Sequence, residues 1–237
     1  MPYCVDRQLL VKARRVLANR SNVAWIIGGA GAGKSTVCRA IAGDHGIPVY
    51  DMDAHVFDDY PQRCSRQRHP AISAWFGAPD SFAWMLGLPE SDFLDFNRAS
   101  NAEFLDLLAD DLSGAAPDGA LLVDGWITNP LLLAQVVPVS RIVCLETEAG
   151  ISTKAWEDDP DRRSMKDMVW RLPHPQEAWR KFLDADSLMT RTLLEECKTG
   201  GIHIIRRNER TPLAATVRQV VAWFGIEHTG QRTEHPR

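Results

Sequence analysis

A chain of 237 residues that is 45% hydrophobic, with 27 Lys and Arg against 31 Asp and Glu and a net charge of −4, has the composition of a globular protein with a sizeable core. The balance is near neutral and the basic residues are dispersed among acids, which argues against nucleic acid as a partner, and no apolar run approaches the length of a membrane span. Five scattered cysteines without a C-x-x-C pair argue against a zinc or disulfide framework, and without an apolar leader at the start the expected location is the cytoplasm.

In chain order, Leu9, Leu10, Val11, Ala13, Val16 and Leu17 recur at helical spacing among basic residues, predicting an amphipathic helix. The apolar run 23–27 predicts the first strand. Directly after it, Gly28-Gly29-Ala30-Gly31-Ala32-Gly33-Lys34-Ser35-Thr36 has the form G-x-x-x-x-G-K-[ST], a phosphate-binding loop (Walker A) in its strand-to-helix setting. Its glycines let backbone N–H groups form a concave nest aimed at a β-phosphate, and the helix starting near Lys34 adds its positive end. Lys34 is expected to reach the β- and γ-phosphates, the Ser35 hydroxyl to ligate Mg²⁺, and Thr36 to lie near the α-phosphate. A helix over 34–42 closed by Gly43 and a strand over 47–51 complete a βαβ unit. Asp51 and Asp53 end that strand at the sheet edge that carries the loop, where one carboxylate can hold Mg²⁺ through water and the other accept a proton from an attacking hydroxyl. His55, two residues on, is a candidate contact to the acceptor of the phosphoryl group.

From 54 to 119 the strand rhythm is interrupted by an insertion in which Trp75, Phe76, Phe82, Trp84, Phe93 and Phe96 stand among Pro and Gly. It follows the second strand at the carboxyl edge, where open α/β proteins bind ligands, and its Arg63, Arg66, Arg68 and Arg98 are candidates for an anionic group. Runs 120–125 and 139–145 read as strands buried on both faces. Asp124, ending the first of them, is a further candidate for holding Mg²⁺ through water, and Trp126 a candidate acceptor contact. Asn129 and Pro130 open a helix to 137; another spans 175–197 and ends at Gly200-Gly201 before a strand over 202–206. The last helix opens at Thr211-Pro212 and stops at Gly225, with the residues after Glu227 expected to fray. Five strands alternating with helices predict an α/β fold, a parallel sheet covered on both faces, in one domain over 1–237.

Residues 28–36, Asp51-x-Asp53, Asp124-Gly125 and the arginine-bearing segment after the fourth strand together resemble the small-molecule kinases of the nucleoside-monophosphate-kinase-like group of P-loop proteins. Asp51-x-Asp53 looks like the D-x-D of shikimate kinases and the D-A-D of dephospho-coenzyme A kinases. Val123-Asp124-Gly125-Trp126 is similar to the D-G-F-P-R strand end of adenylate kinases, with Trp126-Ile127-Thr128-Asn129-Pro130 standing where that family has its phosphate-holding arginine. The resemblance implies a three-layer P-loop NTPase fold that uses ATP and Mg²⁺, with a substrate-binding region at 54–119 and a lid at 151–172. Arg162 and Arg163 of that lid are the candidates to close over the γ-phosphate beside Lys34. It further implies a phosphotransferase acting on a hydroxyl of a small-molecule acceptor, with Asp53 as base or hydroxyl orienter. Two alternatives stand beside it: a nucleoside monophosphate kinase, against which the missing arginine speaks, and a P-loop ATPase or nucleotide-driven switch acting on a protein partner.

Overall fold

The computed structural model describes residues 3–114, 119–148, 151–208 and 210–226, with only the backbone of Asp161. In chain order the elements are α1 (Arg7–Leu17), β1 (Val23–Gly28), α2 (Lys34–His45), β2 (Val49–Asp51), and then α3 (Met52–Asp58), α4 (Tyr60–Arg63), α5 (Pro70–Phe76), α6 (Ser81–Leu86) and α7 (Glu90–Gly114). After these come β3 (Leu121–Asp124), α8 (Pro130–Val136), β4 (Ile142–Thr147), α9 (Ile151–Asp158), α10 (Arg163–Trp170), α11 (Pro175–Thr199), β5 (His203–Arg207) and α12 (Leu213–Phe224).

The strands form one five-stranded, all-parallel sheet in the order β2-β3-β1-β4-β5, so the class is α/β. From β1 the chain passes through α2 to β2, two positions away. It returns between them as β3, then crosses β1 to build β4 and β5 on the other side. Connections thus diverge around the carboxyl end of β1, the place in an open parallel sheet where a crevice forms.

Side-chain alternation along the central strands decides which layer covers which face. Val23, Trp25 and Ile27 of β1 point with Leu121, Val123, Ile142 and Cys144 into a core closed by α1, α7, α8 and α11. Ala24 and Ile26 point with Leu122, Val143 and Leu145 to the opposite face, under α2 and α12. Both faces being covered, these strands read as continuous apolar runs.

Several boundaries differ from the sequence expectation. Helix α2 runs through Gly43 and closes at Gly46, whose left-handed backbone sends its N–H to the Ala42 carbonyl. Residues 139–141 form a 3₁₀ turn after Pro138, so β4 begins at Ile142. Fraying after Glu227 falls outside the described residues. Of the insertion expected over 54–119, the described helix α7, 25 residues long, is part of the main core: it packs along α1 and buries Phe104, Leu105 and Leu108 beneath it. Because α7 is covered on several sides, its polar groups are paired internally. Glu103 accepts from the N–H groups of Ala71 (2.9 Å) and Ile72 (2.8 Å) at the start of α5, and Asp106 meets His69 (2.9 Å) and Lys12 (3.2 Å). Among the described residues no helix is long and apolar enough to cross a membrane.

Candidate active site

Residues 29–33 carry the chain from β1 over the edge of the sheet into α2, whose first amides lack helical partners and face the crevice. Lys34 Nζ donates to the Gly29 carbonyl at 3.2 Å. Three distant elements wall this turn. Thr190 of α11 lies so close to Gly29 that a Cβ there would sit 2.6 Å from its Oγ1, and Ala155 of α9 stands against Gly31 at 2.9 Å from the corresponding position. Arg207, the last residue of β5, donates through Nη1 to the Ala32 carbonyl at 3.1 Å.

Parallel pairing places Asp51 and Asp124 side by side at the carboxyl ends of β2 and β3. The Ser35 hydroxyl donates to Asp124, whose Oδ1 is buried with no hydrogen-bond partner. A partnerless buried carboxylate oxygen beside a serine hydroxyl suits a hard divalent cation or its water. Asp51 caps α3, accepting the Ala54 N–H at 3.1 Å. Asp53 sits in the first turn of α3, facing the cavity, and accepts the backbone N–H of Trp126. Burial lifts the carboxyls of both Asp53 and Asp124 above the usual range; Lys34 draws them back down while Asp51 adds repulsion. Solvent reaches Asp53 through the cavity mouth, yet protein surrounds its carboxylate on most sides, which is why burial dominates.

The segment after β3 holds this arrangement by an uncommon backbone. Gly125 has φ of 89°, and Trp126, without a glycine's freedom, has φ of 49° in a three-residue turn closed by Ile127 N–H to the Gly125 carbonyl at 2.7 Å. A Cβ on Gly125 would sit 2.7 Å from Asp53 Oδ1. Gly125→Ala is therefore expected to lower stability by roughly 1–3 kcal/mol and to displace Asp53. Urea denaturation checks the first effect, and a crystal structure of the variant checks the second.

These groups open into a cavity of about 230 Å³. One end is polar, formed by Gly28, Gly29, Ala30, Lys34, Asp53, Arg162 and Asp186. The remainder is lined mainly by rings and thioethers contributed by α3, α5, α6, α7, α11 and the turn at Trp126. Segment 151–172 forms one wall with Trp156, Arg162 and Met165. One side of the segment is packed, Trp156, Met165, Val169 and Leu172 lying with Phe82, Leu86, Trp179 and Phe182, while Lys154, Glu157, Asp158 and Arg163 face solvent. The Arg162 guanidinium lies over the Trp156 ring at 4.3 Å, with Asp159 at 3.6 Å.

Lys34, Asp53, Trp126 and Arg162 line one cavity, while Ser35, Asp51 and Asp124 lie together at the adjoining strand and helix ends. Arg163 does not join them; it is exposed, outside the lining. His55 also faces elsewhere, stacked on Tyr50 (4.1 Å between centroids) with Nδ1 2.9 Å from Asp59. His55, Asp59 and Asp111 form a metal-like cluster, but Arg63 already pairs with both carboxylates. Arg68 is held by Asp106 and Asp110 and Arg98 by Glu196, while Arg66 lies on the surface, so none of the four inserted arginines reaches the cavity. Sequence reasoning missed Asp186, which is buried, accepts from the Ser152 hydroxyl, and feels the charges of Arg162 and Lys34. Its signal was available: Phe182, Asp186, Met189 and Leu193 share one helical stripe, and an acid on an apolar stripe is conspicuous.

No protein-family profile matches the chain, and no curated protein matches it in sequence. Among solved structures, it is similar to the crystal structure of an unliganded sugar kinase from Janibacter sp. HTCC2649, at 17% identity over 86% of this chain and 94% of that one, with a TM-score of 0.39.

Proposed function

We propose that this protein is a P-loop phosphotransferase that uses ATP and Mg²⁺ to phosphorylate a hydroxyl of a small molecule. The observation that carries this reading is the convergence of Lys34, Asp53 and Arg162 at the polar end of one cavity, directly beside the turn 28–33. Ser35 and, through water, Asp124 and Asp51 would hold the metal, which when bound supplies charge neutralisation along the phosphate chain.

Each of the chain's own groups then has a task. The amides of residues 29–34 and Lys34 seat the phosphates. Asp53 takes the proton of the acceptor hydroxyl as its oxygen bonds to the γ-phosphorus and the bond to the nucleoside diphosphate breaks. Arg162 and Lys34 carry the charge spread over the migrating group, and the ring-lined chamber excludes water that would otherwise compete. Asp186 adds negative charge near the two cations, while the Gly29 carbonyl holds Lys34 and the Trp156 ring holds Arg162. Segment 151–172 serves as the lid, with Arg162 as its working arginine.

The test is to incubate the full chain with Mg²⁺, γ-labelled ATP and a fractionated pool of small molecules, beside Lys34→Ala. Label entering a small molecule with the native chain and not with the variant is the expected result. Label released only as free phosphate would replace this reading with a nucleotide-driven switch. A nucleoside monophosphate acceptor is disfavoured, because among the described residues the cavity lining offers no cation beyond Lys34 and Arg162 to hold a second phosphate.

A further inference from the structure

Within the phosphotransferase reading, on which this step rests, the chamber's chemistry narrows the acceptor. We propose that the substrate is an uncharged alcohol with a ring-bearing, predominantly apolar body, and that neither a free sugar nor a phosphorylated metabolite is the acceptor.

The walls are the first reason. Trp126 is stacked with Trp75 at 5.9 Å and meets Phe57 and Phe104 edge-on at 5.3 and 5.8 Å, so the surface facing the acceptor is a continuous aromatic lining. Such a lining rewards a planar apolar body placed against ring faces and edges.

Hydrogen bonding is the second. Apart from the polar end, the polar side chains in the wall include Asn97, Ser100 and Thr128, and they are already engaged with one another. Ser100 Oγ donates to the Asn97 carbonyl at 3.0 Å, Thr128 Oγ1 donates to Asn97 Oδ1 at 3.0 Å, and Asn97 Nδ2 donates to Asn129 at 3.1 Å. The hydroxyl protons of Ser100 and Thr128 are thus spent, and the other threonine of the lining, Thr190, stands against Gly29 at the phosphate-loop end. A sugar brought here would leave water with several hydroxyls and find too few partners for them, and each unpaired buried hydroxyl opposes binding.

Charge is the third. Among the described residues the cations lining the chamber are Lys34 and Arg162, both at the phosphate-loop end. Arg63, Arg68 and Arg98 pair with carboxylates elsewhere. A carboxylate or phosphate on the acceptor's far end would therefore be buried against rings without a counter-charge. Asp53, in the polar end beside Lys34, is left to receive a single hydroxyl.

The experiment titrates 2-(2-naphthyl)ethanol, D-glucose and D-glucose 6-phosphate into the full chain by calorimetry, with and without Mg²⁺ and a non-hydrolysable ATP analogue, and follows phosphoester formation with Mg²⁺ and ATP by mass spectrometry. Naphthylethanol is expected to bind at least about tenfold more tightly than either sugar, with a negative heat-capacity change, and to be phosphorylated. Phe57→Ala, a change at the exposed mouth that leaves the core intact, is expected to weaken naphthylethanol about fivefold. Tighter binding or faster phosphorylation of either sugar would overturn the proposed acceptor class while leaving the phosphotransferase reading in place. Equal affinity for naphthylethanol in native chain and variant would overturn it as well. Naphthylethanol binding by a chain that binds no ATP analogue would uphold the ligand class and sink the phosphotransferase reading instead.

Discussion

Asp53→Asn is expected to lower phosphoryl transfer about 10²- to 10⁴-fold, the range lost when a positioned general base is removed, with ATP affinity changed only slightly. Asparagine keeps the shape and the hydrogen bond from the Trp126 N–H but cannot take a proton. Burial holds the native carboxyl above the ordinary range of an aspartate, so the acid limb of the native rate profile should lie above that range, and the variant's residual rate should lack it. The same shift fixes the sign of the stability effect. A carboxyl whose pKa rises on folding binds its proton more tightly in the native state, so stability falls as pH climbs from the unfolded value through the raised one. Above the raised value the ionised group opposes folding, and there the variant should melt at a higher temperature than the native chain. Coupled ADP release and scanning calorimetry read the two effects. A variant that is both slower and less stable would mean that Asp53 holds the turn at Trp126 rather than the reacting hydroxyl.

The lid arginines separate next. Arg162→Ala is expected to cost about 10³-fold in transfer, the lower end of what an arginine on a transferring phosphoryl group supplies, whereas Arg163→Ala should stay within about twofold. Arg162 lines the cavity and is held over the Trp156 ring; Arg163 begins α10 and faces solvent. Single-turnover rates compare the two, and Trp156 fluorescence reports the lost cation contact in the first variant only. Equal losses would mean that the segment acts through its fold and not through one guanidinium. Arg162→Lys keeps the charge without the planar fork and should recover only part of the rate.

What could be read from the sequence was whatever depends on neighbours along the chain. The turn 28–33, the lysine after it and the carboxylates at strand ends are short-range patterns, and the burial of both sheet faces follows from unbroken apolar runs. Asp186 and Arg207 come to the turn 28–33 from far along the chain, and no local pattern announces that approach. His55 was misjudged for a geometric reason. Asp53 and His55 are two residues apart in a helix, which turns them about 200° from each other, so α3 cannot aim both at the acceptor. The inserted arginines stood as candidates for an anionic group because composition does not show where the acids of α7 lie. Asp106, Asp110 and Asp111 sit on the face that α4 and the chain before α5 cover, and they take Arg63 and Arg68.

Helix α9 rests on Gly31 through Ala155 and, through the very next residue, Trp156, walls the cavity. Under the proposed function, one helix therefore borders both the phosphate turn and the acceptor chamber. If it lifts to exchange nucleotide it uncovers the acceptor at the same moment, and if it settles it traps both. Such a door has no position in which one guest is sealed and the other is free to leave. Dwell times of the two products should then rise and fall together, and solution viscosity or any change that slows the hinge should slow both departures by the same factor.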